Sequence, residues 1–366
     1  MINQSPIAVY LHFPYCKSRC PYCDFFRSIL PKNFNEKEII EKYRQDIKYF
    51  ADLMGDRLVK SVFFGGGTPS ILSADSIQII LDELSRNFCI KEDAEISLEA
   101  NPNTFERDKF IDFAKAGINR LSLGVQALNE QDLKFLGRTH SLDDAIRSID
   151  LATETFDKTS IDLIYSRPNQ QWDEWQQEID LALKYGLKHI SLYQLSIEEG
   201  TVFHKKNVKV MDEDSSATFY NNTVSYLREK GLDRYEVSNF ASSKQEESIH
   251  NLVYWQGGEY VGIGEGAHGR IIHNGSIKAT VDGKITETLT PQERAEELII
   301  MGLRIRDGIN AKDFYNACGI KLFDFLSENV TKKLAQLNLL CYDADNIKLT
   351  DQGFLVLDKI ILELLS

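Results

Sequence analysis

Short β-rich runs alternate with amphipathic helical stretches through the first two thirds of this chain, and that alternation restricts the fold more than any other feature. The runs 9–12, 61–64, 95–99, 120–124, 159–163 and 189–194 have the length and apolar content of buried parallel strands. Between them, segments 37–53, 73–86, 108–115, 142–153 and 174–184 carry apolar residues at helical spacing, with stops at Gly55, Gly117 and Gly186. Six such repeats predict a parallel sheet with right-handed crossovers, a partial or full (β/α) barrel rather than a single mononucleotide-binding fold. Beyond Thr201 the pattern changes: a long helix over 212–230 stops at Gly231, 235–241 follows, and a glycine- and aromatic-rich loop spans 250–269. After Pro291 the chain reads as mostly helical. It ends in a hairpin, 339–342 with 347–349, and then a helix capped by Thr350 or Asp351. The expected organisation is α/β: a barrel over 1–235, a connecting segment over 236–290 and a smaller, mostly helical, winged-helix-like domain over 291–366.

Composition narrows the class. With 43% hydrophobic and 27% charged residues and only 8 prolines in 366, the chain reads as globular and not as disordered or fibrous. Its net charge of −13 opposes nucleic acid or an anionic leaflet as the bulk partner. No apolar run approaches the ~20 residues of a membrane span. Residues 1–10 lack the basic and apolar regions of a secretory leader, so a cytosolic protein is expected.

Of six cysteines, three fall within eight residues: Cys16, Cys20 and Cys23, spaced C-x3-C-x2-C directly after the first strand. In parallel α/β folds that end of a strand is where sites collect. Three readings are open: reduced core thiols, a zinc site completed by His12 or Asp24, or a [4Fe–4S] cluster with one iron left for a ligand. Cys89, Cys318 and Cys341 read as core or incidental residues.

Other strand ends add polar groups. Gly65-Gly66-Gly67-Thr68-Pro69 lets backbone approach a ligand and offers a hydroxyl, although a tight strand-to-helix turn explains it equally well. Glu99, Gln126, Arg138 and Asp162 each suit a satisfied polar position in isolation; together they suit a zwitterion and a sugar diol. In the downstream loop, His250 within His250-Asn-Leu-Val-Tyr-Trp255 could ligate haem iron or cap a flat macrocycle, whereas His268 is expected in a packed loop that closes the barrel.

The stretch Tyr10-Leu-His-Phe-Pro-Tyr-Cys16-Lys-Ser-Arg-Cys20-Pro-Tyr-Cys23-Asp-Phe25 resembles the signature of radical S-adenosylmethionine (SAM) proteins, specifically the oxygen-independent coproporphyrinogen III oxidase family. The resemblance implies a radical SAM barrel with [4Fe–4S] on Cys16, Cys20 and Cys23 and Tyr22 packed near the cluster. It implies SAM on Gly66, Gly67, Thr68, Glu99, Gln126, Arg138 and Asp162, with Tyr10 near the adenine. The H-N-x-x-Y-W motif resembles that of the family's haem-chaperone branch, where its histidine is implicated in haem binding, and the likeness extends over nearly the whole chain. Two departures favour that branch over the dehydrogenase: Phe25 stands where the enzyme carries a further cysteine, and the signature begins only fifteen residues in, without the enzyme's N-terminal extension.

The implied function is a protein that binds [4Fe–4S], SAM and haem, haem being cargo, and delivers the haem to an acceptor protein at the membrane. No catalytic residue is assigned; a homodimer stays open, and nucleic acid is not expected. The runner-up is the dehydrogenase itself, in which a 5′-deoxyadenosyl radical removes hydrogens from two propionate side chains. A zinc-stapled barrel with a nucleic-acid module is the remote third reading.

Overall fold

The computed structural model describes residues 5–366. All six expected strands and the helices between them form, within three residues of the expected limits except that the third strand starts at Cys89, six residues before the expected 95. The strands are β1 (Ile7–Phe13), β2 (Leu58–Gly66), β3 (Cys89–Ala100), β4 (Arg120–Gln126), β5 (Lys158–Tyr165) and β6 (His189–Gln194). They pair in parallel in that order. Between them run α1 (Glu36–Met54), α2 (Ala74–Asn87), α3 (Phe110–Lys115), α4 (Leu142–Thr155) and α5 (Trp172–Leu183). Local chemistry sets the ends: Asn35 and Ser73 cap α1 and α2, and Ser141 with Asp144 closes a capping box on α4. The 212–230 stretch is α6 (Glu213–Glu229), capped by Asp212.

The stretch 236–290, expected as a connecting segment, instead builds sheet. After β7 (Asp233–Arg234) and β8 (Asn239–Ala241), α7 (Ile249–Trp255) leads into β9 (Tyr260–Ile263), which pairs in parallel with β1. Antiparallel strands β10 (His268–His273), β11 (Ser276–Val281) and β12 (Lys284–Thr288) follow. The twelve strands run in the order β12-β11-β10-β9-β1-β2-β3-β4-β5-β6-β8-β7. Two free edges make the barrel partial. Glycines at 262 and 269 hid these strands from sequence reading: a Cβ at Gly262 would lie 2.2 Å from the His268 carbonyl oxygen, and one at Gly269 would lie 2.9 Å from the Tyr260 oxygen. Close backbone approach within a sheet, not a turn, is their role.

Alternation divides the strand residues. Val9, Leu11, Val62, Phe64, Leu98, Leu121, Leu123, Ile161, Leu163, Ile190 and Leu192 join one apolar core with the helices. The alternate positions, among them Tyr10, His12, Ser61, Glu95, Ser97, Glu99, Ser122, Ser160, Asp162 and Ser191, therefore turn into the bore. A second core, from Ala295 to Leu364, belongs to a C-terminal domain begun by α8 (Pro291–Gly302). Its expected hairpin forms between Leu340–Tyr342 and Asn346–Leu349, and Thr350 is the cap. Among the described residues, no helix is long and apolar enough to cross a membrane.

Buried charge ties the strand ends together. Arg167, just past β5, is fully buried against Glu178 of α5, and Glu178 also accepts the Leu128 N–H at 2.7 Å, just past β4. One carboxylate thus fixes the loops that follow Gln126 and Asp162. Removing it strands the Leu128 amide and leaves the buried guanidinium with Asp132 alone, at 3.3 Å, so Glu178→Ala is expected to cost about 3 kcal/mol, read from urea unfolding.

Candidate cofactor site

The loop leaving β1 is pinned at its base by a two-residue parallel bridge, Tyr15 with Ser28 and Cys16 with Ile29. Each of its three sulfurs receives a hydrogen bond: Cys16 from the Thr68 hydroxyl at 3.6 Å, Cys20 from Arg138 Nη1 at 3.3 Å, Cys23 from Arg27 Nε at 3.1 Å. Burial pushes the Cys16 thiol up, opposed by the Thr68 bond and the Arg27 charge. Tyr22 packs beside Phe203, ring centroids 6.3 Å apart.

At the end of β2, Gly66 has φ 107°, and a Cβ there would meet the His12 ring at 2.6 Å; one on Gly67 would meet the Tyr15 carbonyl oxygen at 2.5 Å. No other residue fits either place. The Gly66 N–H donates to Glu99 Oε2 at 3.1 Å. Across the mouth the Ser122 hydroxyl donates to Asp162 Oδ1 at 3.2 Å. Arg138 Nη2 donates to Asn101 Oδ1 and the Gly124 carbonyl. Gln126 is held at φ 72°, a strained conformation for a non-glycine residue and one that recurs at functional sites.

These side chains enclose a cavity of about 390 Å³, lined by Cys16, Cys20, Tyr22, Cys23, Gly66, Gly67, Thr68, Glu99, Gln126, Arg138 and Asp162 among others. Loss of hydration and then the Asp162 charge push Glu99 up to about 8. Asp162 is pushed up to about 6 by burial, against hydrogen bonds from Ser191 and Ser122. Two enclosed carboxylates held above their usual range form a site that a cation would ionise.

Among the described residues, no group of three or more His, Cys, Asp or Glu side chains could hold one metal ion. Zinc needs its ligands converging on one point, whereas in a cubane cluster each thiolate takes a different iron. His12, the candidate fourth ligand, has Nδ1 bonded to the Tyr10 hydroxyl at 2.9 Å and Nε2 to the Phe26 carbonyl at 2.9 Å. Three sulfurs that each receive a donor, with both nitrogens of His12 already engaged, fit a cluster held by three thiolates better than a zinc site completed by His12.

Comparison with known proteins decides the family. Residues 10–182 match the model described as the Radical SAM superfamily, and residues 289–356 match the HemN C-terminal domain. The heme chaperone HemW of Escherichia coli is 32% identical over 99% of this chain and 98% of its own length. The chain belongs to the radical SAM family, in its haem-chaperone HemW branch. A bovine mitochondrial relative, named radical S-adenosyl methionine domain-containing protein 1, is 35% identical over 98% of this chain and 87% of its own. In fold, the chain superimposes on the radical SAM enzyme coproporphyrinogen III oxidase (HemN) of E. coli with a TM-score of 0.82, at 20% identity over 100% of this chain and 92% of that one.

Two residues expected in the HemW-type site lie elsewhere. Tyr10 is not on the cavity wall but within the bore beside Phe63. His250 is at the far end of the barrel, where α7 closes it. The ring stacks on Phe63 at 4.8 Å, Nδ1 bonds the Ser61 hydroxyl at 3.0 Å and Nε2 the Tyr254 hydroxyl at 2.5 Å. Its backbone N–H donates to Glu95 at 3.3 Å, and burial pushes the imidazole down to about 3. With both nitrogens engaged and the ring 1% exposed, His250 offers no position to haem iron here. The H-N-x-x-Y-W motif is the floor of the barrel. It also meets the C-terminal domain, where Arg304 lies 5.1 Å over the Trp255 ring.

Sequence reading missed Arg27, Asn101, Ser122, Tyr193 and Ser196, all on the cavity wall. Tyr193 and Ser196 end β6 and its following turn, a position that carried the signal; Arg27 lies four residues after Cys23, a spacing that means nothing until the loop is folded.

The carboxyl of Glu99 binds a proton more tightly folded than unfolded, so stability is expected to fall as pH rises from about 4.5 to about 8. Glu99→Gln should flatten that fall, measured as urea midpoint against pH. His250→Ala, by leaving Ser61 and Tyr254 unpaired around a void, should cost about 2–4 kcal/mol.

Proposed function

We propose that this protein binds a [4Fe–4S] cluster on Cys16, Cys20 and Cys23 with SAM beside it, carries haem as cargo, and delivers the haem in the cytosol to an acceptor protein at the membrane. The observation that carries the cofactor half is the convergence of three hydrogen-bonded sulfurs and the Glu99–Asp162 pair on one cavity. When bound, the cluster and SAM together supply reductive cleavage chemistry. The chain's own residues bind and orient. Gly66 and Gly67 admit a ligand close to backbone, and Thr68 offers a hydroxyl beside Cys16. Glu99 suits an ammonium group and gives up its proton to accept one; Asp162 suits a ribose diol; Arg138 and Gln126 suit a carboxylate and the remaining polar edges. The haem half rests on likeness along the full length to proteins named heme chaperone HemW.

One observation favours a second reading, the coproporphyrinogen III dehydrogenase: the cavity is complete, and a simple carrier has no use for it. An anaerobic assay separates the two. Cluster-reconstituted protein with SAM, a strong reductant and coproporphyrinogen III is expected to form no protoporphyrin, while an authentic dehydrogenase turns over in the same tube. Catalytic product would overturn the chaperone reading. In the same preparation Cys20→Ser is expected to lose the brown iron–sulfur chromophore; retention of a full cluster would overturn the ligand assignment.

A further inference from the structure

Haem delivery needs a surface, and His250 does not provide one. The described surface carries an unusual patch on the cluster loop instead. Phe25, Phe26 and Ile29 are 65%, 57% and 54% exposed, three large apolar side chains within five residues. Apolar groups concentrated in this way on a surface mark a binding site. Their loop is also basic: between residues 14 and 34 it holds Lys17, Arg19 and Lys32, besides the Arg27 that bonds Cys23, against Asp24 alone, in a chain of net charge −13. Apolar area rimmed by positive charge matches a flat macrocycle that carries carboxylates.

A histidine belongs to the same region. Phe26 is held by His12, whose Nε2 bonds the Phe26 carbonyl at 2.9 Å, and its ring fills the space beside Gly266, where a Cβ would come within 2.2 Å of it. Two residues further on, His268 opens β10 with an exposed side chain. The His12 ring lies 6.0 Å from the Phe26 ring. Of the other histidines, 12, 140, 189 and 250 are buried with ring hydrogen bonds, and His273 bonds the Leu53 carbonyl. His204 stands apart, on the short helix Val202–Lys205. Among the described residues the His268 ring makes no hydrogen bond. The nearby acids are engaged: Glu265 pairs with Lys42 at 3.6 Å, and Asp282 accepts the Gly266 N–H at 2.6 Å.

We infer that haem docks on this patch, with a face on Phe25, Phe26 and Ile29, its propionates toward Lys17 and Arg19, and His268 as an axial ligand. The inference rests on the haem-carrier reading and locates the cargo beside the cluster loop, on the opposite end of the barrel from His250. An imidazole beside an apolar platform is an ordinary protein environment for haem.

The test is anaerobic titration of the full-length, cluster-loaded protein with haemin, followed by Soret absorbance and by electron paramagnetic resonance of the ferric iron. His268→Ala is expected to bind about tenfold more weakly and to lose the nitrogen-ligated signature, and His268→Met to recover affinity with a shifted spectrum. Phe25→Ala with Ile29→Ala should weaken binding about tenfold without altering the ligand signature. His204→Ala should match wild type. If wild type binds no haem, the carrier reading itself falls. If wild type binds and His268→Ala keeps its affinity and spectrum, the axial assignment falls; if the Phe25–Ile29 double variant binds as wild type, the platform falls.

Discussion

Strand alternation gives this barrel a polar bore, and the rest of the structure follows from the need to satisfy it. Apolar positions at every second residue are spent on packing against the helices, so the residues between them, serines, carboxylates and histidines, are forced inward. A dry bore lined with such groups is costly unless each finds a partner. At the floor they do. Glu95 pairs with Arg120, His189 bridges Ser160 and Tyr235, and His250 sits between Ser61 and Tyr254. At the mouth the partners are neutral donors and, among the described residues, no cation pairs the acids: Glu99 has the Gly66 N–H and Asp162 the Ser122 hydroxyl, and burial still pushes both carboxyls above their usual range.

The two ends of the barrel are built differently. The floor is built by a helix that arrives late in the chain, α7, and is locked from outside by the C-terminal domain. The mouth is built by strand ends and loops, held in place by buried pairs such as Arg167 with Glu178, whose job is to fix loop positions without filling the cavity. Rigidity is thus placed beneath and behind the site, and the side chains that face it keep unsaturated hydrogen-bonding capacity.

Much of this was legible in advance for a physical reason. Strands 189–194 and 120–124, the helix stops at Gly55 and Gly186 and the Thr350 cap all depend on neighbours within a few residues, and local sequence reports local energetics. The three cysteines, the glycine turn and the acids at strand ends were legible because parallel strands deliver their C-terminal residues to one face. The stretch 236–290 was not, since Gly262 and Gly269 look like turn residues until a neighbouring strand is seen pressing on them. Nor was the Arg27 bond to Cys23, which exists only when the loop has closed on its bridge.

By itself, then, the sequence determined a parallel (β/α) barrel, partial or full, a three-cysteine loop after its first strand and a helical C-terminal domain, because periodicity, capping and spacing act over short range. Only the tertiary structure decided which histidine faces which end. His250 and His268 lie eighteen residues apart in similar glycine- and aromatic-rich surroundings, and nothing local distinguishes them. Folding buries the first between Phe63, Ser61 and Tyr254 and leaves the second on the surface near Phe26, because helix α7 turns inward beneath the barrel while β10 starts at its rim.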